Sequence, residues 1–337
     1  MRTLSLWFTG PRSAEIKESM VNPPQKNEVL VHTLFSGISS GTEMVVYRGE
    51  TAEEDAKDIS LPTIEGSFNF PIKYGYSNVG KVIAAGPETV YFKPGDIVFV
   101  HAPHQKEYVV PEDLAFKLPE NILPEEGVFL ANLETSVNCL LDSDFYLGEN
   151  VVIFGQGVVG LLLTQVFRLA GAGKIITVDK IARRRNISIA VGADYSFSPD
   201  EDDFIAKILA LTDEKGADLA IEASGNPEAL NLALKTVAFQ CTVMVISWYG
   251  IRPAILYLGK EFHRKRLKLQ SSQVSHINPG LYPRWDKKRR MDIALRLLPR
   301  LQLKELISHV YPFYKAPEVF QEIDVNPEDV VQVILKY

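Results

Sequence analysis

The stretch VVIFGQGVVG, residues 151–160, decides how the whole chain is read. Four β-forming apolar residues run into Gly155, Gly157 and Gly160, spaced G-x-G-x-x-G, and the run VVGLLLTQVFRLAG that follows has helical periodicity and stops at Gly171. A strand that turns at once into a helix leaves the first N–H groups of that helix, those of Val158 and Val159 among them, without intrahelical partners at the positive end of its dipole. That is a site for phosphate. The first glycine permits the tight turn, the second lets backbone approach a pyrophosphate, and the third lets helix and strand pack closely. Gln156 sits inside the turn and joins the candidate phosphate-binding set.

Working outward, KIITVD reads as a second strand and brings Asp179 to its C-terminal end, nineteen positions after Gly160. A carboxylate there accepts both ribose hydroxyls of a dinucleotide and repels a 2′-phosphate, so NAD is the expected cofactor. NADP is the alternative, because Arg183, Arg184 and Arg185 follow; Arg184 is a candidate contact, and the three together also read as a solvated helix face. Beyond them come ARRRNISIAVG and DFIAKILALTDEKG as helices, ADLAIEASG as a strand, NPEALNLALKTV as a helix with Pro227 in its first turn, and CTVMVIS as a strand. Strands alternating with helices predict an α/β, doubly wound parallel sheet covered on both faces.

The flanks have another rhythm. Up to about residue 120 the signals are short strands between turns: EVLVHTLFSGI, VGKVIAAG, DIVFVHA and EYVVP, which suggests a β-rich, barrel-like unit. The acidic piece GETAEEDAKDIS, Gly49 to Ser60, has no apolar period and reads as an exposed loop or a lid. The final DVVQVILKY looks like a strand returning to the first unit, so the α/β unit is expected to be an insertion.

A chain of 337 residues has room for two cores, and its net charge of −6 with a pI near 5.6 lacks the positive field of a nucleic-acid binder. The two cysteines, Cys139 and Cys241, define neither a disulfide framework nor a thiolate metal cluster. MRTLSLWFTGPRSAEI reads as a strand and turn rather than a signal peptide, and no window has the roughly 20 apolar residues of a membrane span. A cytoplasmic protein working on a small molecule, without nucleic-acid or membrane partners, is expected.

SGISSGTEMVVYRGE, KPGDIV, VVIFGQGVVG and GADLAIEASG occur in the order in which the medium-chain dehydrogenase/reductase superfamily carries its first catalytic segment, its Gly-Asp turn, its cofactor loop and the strand facing the nicotinamide. The chain resembles that superfamily over nearly its whole length. SGISSGTE, ANLETSVNCLLD, ISWYG and FHRKRLKLQSSQV look most like a branch of alcohol-dehydrogenase-like proteins related to the bacteriochlorophyllide hydroxyethyl dehydrogenases. The resemblance implies a GroES-like catalytic domain over 1–141 and 274–337, with an inserted Rossmann domain over 142–273. It also implies a homodimer, and Ser224, Gly225, Ser247 and Trp248 as further cofactor contacts. Tyr249, like Trp248, falls beside the nicotinamide or at a subunit contact.

The zinc-dependent members imply a Cys, a His-Glu pair after a glycine, and a further Cys or acid. Here those positions read Ser39 or Ser40, then Tyr76 and Ser77 after Gly75, and about Ala131. The four clustered cysteines of a structural zinc are missing as well, so no metal is expected. His101, His104 and Glu134 are the residues that could build a substitute site; lining a cleft or covering a strand end is the simpler role for the histidines.

Without zinc, hydrogen-bond donors must stabilise the negative charge on the substrate oxygen. Thr42 matches the proton-relay hydroxyl, whose histidine partner is replaced by Val45. Tyr47 matches a tyrosine of zinc-free quinone-reductase-like members, and Tyr76 projects from the lost metal position. Thr42, Tyr47, Tyr76 and His104 are therefore the catalytic candidates, a packed aromatic being the plain alternative for each tyrosine. Glu43 is expected to pair with Arg48 or with a basic residue from the C-terminal piece. The basic segment Lys260 to Arg290 reads as an exposed face, or as the rim of a pocket for an anionic substrate. An alcohol/carbonyl oxidoreductase leads, ahead of a quinone or enone reductase and of a cofactor-binding protein without activity.

Overall fold

The computed structural model describes residues 1–52, 63 and 67–337, and the acidic segment from residue 53 on lies outside them. The chain divides into two compact units, Met1–Ala131 with Leu295–Tyr337, and Asn132–Ala294.

In the first unit β1 (Arg2–Gly10) is the expected strand, and after the turn it pairs antiparallel with β2 (Ser13–Met20), which the sequence reading did not include. Then follow β3 (Glu28–Ile38), α1 (Thr42–Arg48), β4 (Asn78–Ala85), β5 (Ile97–Val100), β6 (Glu107–Pro111), β7 (Ala115–Lys117) and α2 (Pro124–Gly127). The helix α3 (Leu130–Asp142) leads into the second unit: β8 (Val151–Phe154), α4 (Val158–Ala170), β9 (Ile175–Val178), α5 (Ala182–Ala190), β10 (Tyr195–Phe197), α6 (Phe204–Leu211), β11 (Ala217–Glu222), α7 (Ala229–Thr236), β12 (Val237–Val245), α8 (Glu261–Arg264) and β13 (Lys268–Ser271). The helix α9 (Lys287–Leu297) leads back to β14 (Ile307–Pro312), α10 (Ala316–Val325) and β15 (Gln332–Lys336).

One sheet of the first unit runs β14-β15-β3-β4-β5-β7, with β6 also paired to β3. The returning strand β15 pairs antiparallel with β3, which is how the last residues complete a sheet begun near the first. Phe8, Tyr47 and Phe320 meet edge-on or tilted, with centroids 4.9–5.5 Å apart, at the centre of its core. Each such buried ring contributes about 1.5–3 kcal/mol through burial.

The second unit is a parallel sheet ordered β10-β9-β8-β11-β12-β13. Alternate strand residues face opposite cores: Val152, Phe154, Ile176 and Val178 pack with Phe204, Ile208, Leu230 and Leu234, whereas Val151, Ile153 and Ile175 pack with Cys139, Leu163 and Phe167. Two-sided burial explains why these strands read as unbroken apolar runs. The helix α4 starts at Gly157 and ends on Gly171, whose φ of 91° and backbone N–H bonds to Arg168 and Phe167 close it with a left-handed cap. Pro227 lies just before α7 rather than within its first turn.

The compact units meet at 131/132 and 294/295, whereas 141/142 and 273/274 are expected from the motifs, and a buried polar network lies wholly within the second unit. Arg290 on α9 gives Nε and Nη2 to Glu134 Oε1 of α3 at 3.0 and 2.8 Å, and Nη1 to Asn138 Oδ1 at 2.6 Å. Asn138 and Ser272 both donate to Asp142 Oδ2. Arg290 is thus neither an exposed face nor a pocket rim, and Glu134 is no substitute metal ligand. Among the described residues no helix is long and apolar enough to cross a membrane.

Candidate active site

The glycine turn is shaped by close approach. A Cβ on Gly160 would lie 1.9 Å from the Gly155 carbonyl oxygen, and Gly155, at φ +89°, would press a Cβ to 2.4 Å from Ser224 Cα. Neither position admits a side chain. Gly157 caps the start of α4, so the N–H groups of Val158, Val159 and Gly160 open outward from the carboxyl end of β8, while the Val158 side chain itself is buried.

Asp179, at the end of β9, is buried; its Oδ2 accepts from Gln156 N–H at 2.6 Å and its Oδ1 from Ile181 N–H at 2.8 Å. A carboxylate has about four acceptor sites, so two such bonds leave capacity for a ribose diol. Gln156 departs from expectation. Its N–H is committed to Asp179, and its side chain turns inward to the Gly155 carbonyl and to Thr164 Oγ1, bracing the turn rather than facing a ligand. Arg184 is half-buried: burial lowers its pKa and the nearby Asp179 charge opposes the shift. Arg185 folds back so that Nη1 donates to the carbonyls of Asp179 and Lys180, which leaves Arg183 as the exposed member of the three.

Two loops follow β11 and β12. Ser224 donates its N–H and its hydroxyl to the Glu222 carboxylate, Gly225 at φ +71° donates its N–H to Ser247 Oγ at 2.9 Å, and Tyr249 OH donates to Glu222 as well. Trp248 is partly exposed beside them. A loop with N–H groups at a helix start, an acceptor at the next strand end and structured turns at the following two fits a dinucleotide. Glu222 escaped the sequence reading, since a carboxylate closing LAIEASG looks like the solvated end of a strand.

In the first unit, hydroxyls stand at the positions where the resemblance would place metal ligands. Tyr76 is half-buried with the Ser39 and Thr42 hydroxyls beside it. Burial, and next the Glu43 charge, push its pKa from 10.0 to about 12, against the pull of those two hydroxyls. Glu43 pairs neither with Arg48 nor with a C-terminal basic residue. Fully buried, it accepts from His104 Nε2 at 2.8 Å and from Ser39 N–H at 3.0 Å, while Arg48 goes to Asp324. His104 Nδ1 meets Ser36 Oγ at 2.7 Å, and Ser36 meets Tyr337 OH at 2.9 Å. Gly75 makes room for this ring: a Cβ there would lie 2.8 Å from His104 Cδ2.

His104 therefore touches Tyr76 only through Glu43 and the segment it fixes, and it lines no opening. Tyr47 is buried among Phe8 and Phe320 and gives its proton to the Arg12 carbonyl at 3.0 Å, so its phenol has another employment than substrate. His101 packs edge-on against Phe99 at 4.9 Å. Ser77 donates to the Val128 carbonyl. Zinc requires nitrogen, sulfur or carboxylate donors in a converging set. Ser39, Tyr76, Ser77 and Ala131 supply none, and among the described residues no three of His, Cys, Asp and Glu come together, so this site does not fit zinc.

The zinc-binding dehydrogenase family profile matches residues 158–286. The chain is 29% identical over 345 residues to D-guloside 3-dehydrogenase of Escherichia coli (strain K12), covering 96% of this chain and 97% of that one. It is 30% identical over 254 residues to L-threonine 3-dehydrogenase of Pyrococcus furiosus, covering 66% of this chain and 69% of that one. The chain belongs to the medium-chain, zinc-type alcohol dehydrogenase-like superfamily. A crystal structure of a zinc-binding dehydrogenase from Sinorhizobium meliloti bound to NADP superposes on it with a TM-score of 0.79 at 20% identity, each chain covered at 100%. As a member of this superfamily the protein is an NAD(P)-dependent dehydrogenase, and its two units are the GroES-like and Rossmann domains of that fold.

Proposed function

We propose that this dehydrogenase works without zinc, transfers hydride between NAD(P)(H) and an alcohol/carbonyl substrate, and uses Tyr76 as the donor to the substrate oxygen. The observation that carries the reading is the place of the Tyr76 phenol, beside the Ser39 and Thr42 hydroxyls at the position where zinc-dependent members carry a metal ligand. The bound nicotinamide supplies the hydride. Tyr76 gives a hydrogen bond, then its proton, to the oxygen that gains charge, and the half-buried Ser39 and Thr42 hydroxyls hold the phenol and relay a replacement proton to it from solvent water. The relatives named for D-gulosides and L-threonine support a secondary alcohol with polar neighbours as the product class. Asp179 supports NAD over NADP. SGISSGTE and FHRKRLKLQSSQV support the zinc-lacking, bacteriochlorophyllide-dehydrogenase-related branch. An enone reductase using Tyr47 is disfavoured by the bond from that phenol to Arg12.

The test joins two measurements. Elemental analysis of the purified protein should give well under one zinc per chain, with turnover unchanged by chelator. Tyr76→Phe should lower kcat for carbonyl reduction at least about tenfold, within the range of positioned acid catalysts, while NADH affinity stays within about twofold. Stoichiometric zinc, or full turnover in Tyr76→Phe, would overturn the proposal. The wild-type reduction rate should also show no tyrosine ionisation near pH 10, since the raised pKa keeps the donor protonated there.

A further inference from the structure

The strand order of the second unit separates the two ends of a dinucleotide. β9 lies on one side of β8 and β11 on the other, and at that reversal a dinucleotide crosses a doubly wound sheet. With Asp179 on β9 taking the adenosine ribose and the start of α4 taking the pyrophosphate, the nicotinamide half runs over the carboxyl ends of β11 and β12.

Glu222 ends β11 there, fully buried. One carboxylate oxygen accepts from the Ser224 N–H at 2.7 Å and from the Ser224 hydroxyl, and the other accepts from Tyr249 OH. All of these donors are neutral. The cation of this loop is Arg252, which donates Nε to the Tyr249 carbonyl at 3.1 Å and is felt at that phenol, whereas Asp179 has the Arg184 guanidinium close by. The Glu222 charge is felt at its neighbour: burial and then this carboxylate hold the Tyr249 phenol well above its ordinary pKa of 10.0. A buried carboxylate with only neutral donors is expensive to hold, and a positive charge placed near it would relieve that cost. The cofactor brings such a charge in one redox state only, since its ring is a cation when oxidised and neutral when reduced.

We propose that Glu222, steadied by the Tyr249 hydroxyl, is the counter-charge to the oxidised nicotinamide and sets the ratio of affinities for oxidised and reduced cofactor. The inference needs only the NAD(P) dependence and stands or falls independently of Tyr76. A merely structural role is the competitor, because Ser224 supports the Gly155 turn at close range. That role weakens both cofactor forms alike; a counter-charge weakens one.

The experiment measures Kd for NAD⁺ by calorimetry and for NADH by fluorescence titration, in the wild type, Glu222→Gln and Tyr249→Phe, with thermal unfolding as the check on folding. Glu222→Gln should raise the NAD⁺ Kd relative to the NADH Kd by about fivefold or more, the scale of one charge in a partly screened interior. A ratio unchanged within twofold, whatever the absolute losses, overturns the proposal. Tyr249→Phe keeps the carboxylate and removes a donor that disperses its charge, so the ratio should move toward NAD⁺ by about twofold or more. If Glu222→Gln fails to fold, that shift decides, and its absence or reversal overturns the inference.

Discussion

The turn at residues 155–160 and the cluster around His104 are both built to close tolerances, but the first is made of backbone and the second of side chains. The turn comes from one local stretch: two glycines that cannot carry a Cβ and a helix that begins where they end. The cluster draws on Ser36, Glu43, Gly75, Tyr76, His104 and Tyr337, with single hydrogen bonds spanning 61, 68 and 301 positions. A backbone site depends chiefly on its glycines, with Gln156 bracing the turn from within. A side-chain site depends on each member and loses several functions when one is removed.

Three substitutions would sharpen or break that contrast. His104→Ala should have the largest effect on stability, about 3–5 kcal/mol by denaturant unfolding, because the Glu43 carboxylate is left buried without its partner. Cofactor affinity should stay within twofold, and a mutant as stable as wild type would show that the cluster is slack. Gly160→Val drives a side chain into the Gly155 carbonyl and should weaken NADH binding on the order of 100-fold by fluorescence titration; threefold or less would mean that the turn yields easily. Tyr47→Phe should have the smallest effect, about 1 kcal/mol of stability for the hydrogen bond to the Arg12 carbonyl, with kcat unchanged. A large loss of kcat there would return Tyr47 to the chemistry.

What could be read in advance follows the same contrast. EVLVHTLFSGI is β3 residue for residue, and VVIF, IITV and the helix ending at Gly171 stand as periodicity and capping predict. β7 and β10, with three residues each, and β13, with the polar sequence KLQS, escaped, since short or polar strands gain their pairing from neighbours rather than from their own pattern. Ser39, Tyr76 and Ser77 could be placed in advance because they occupy fixed positions in motifs. The partner of Glu43 was not: Arg48 is close in sequence, whereas His104 arrives from a distant strand end through packing. Arg290 misled for a similar reason, since a run of cations reads as surface until its carboxylate partner on another helix is known.

The Glu134–Arg290–Asp142 network has a consequence for dissecting the gene. A fragment cut at 142–273, where motif boundaries suggest, would carry Asp142 and Ser272 but discard Glu134, Asn138 and Arg290, stranding a half-satisfied acid at a new terminus. A fragment spanning 132–294 keeps the whole clasp, so it is the better piece with which to express the second unit alone.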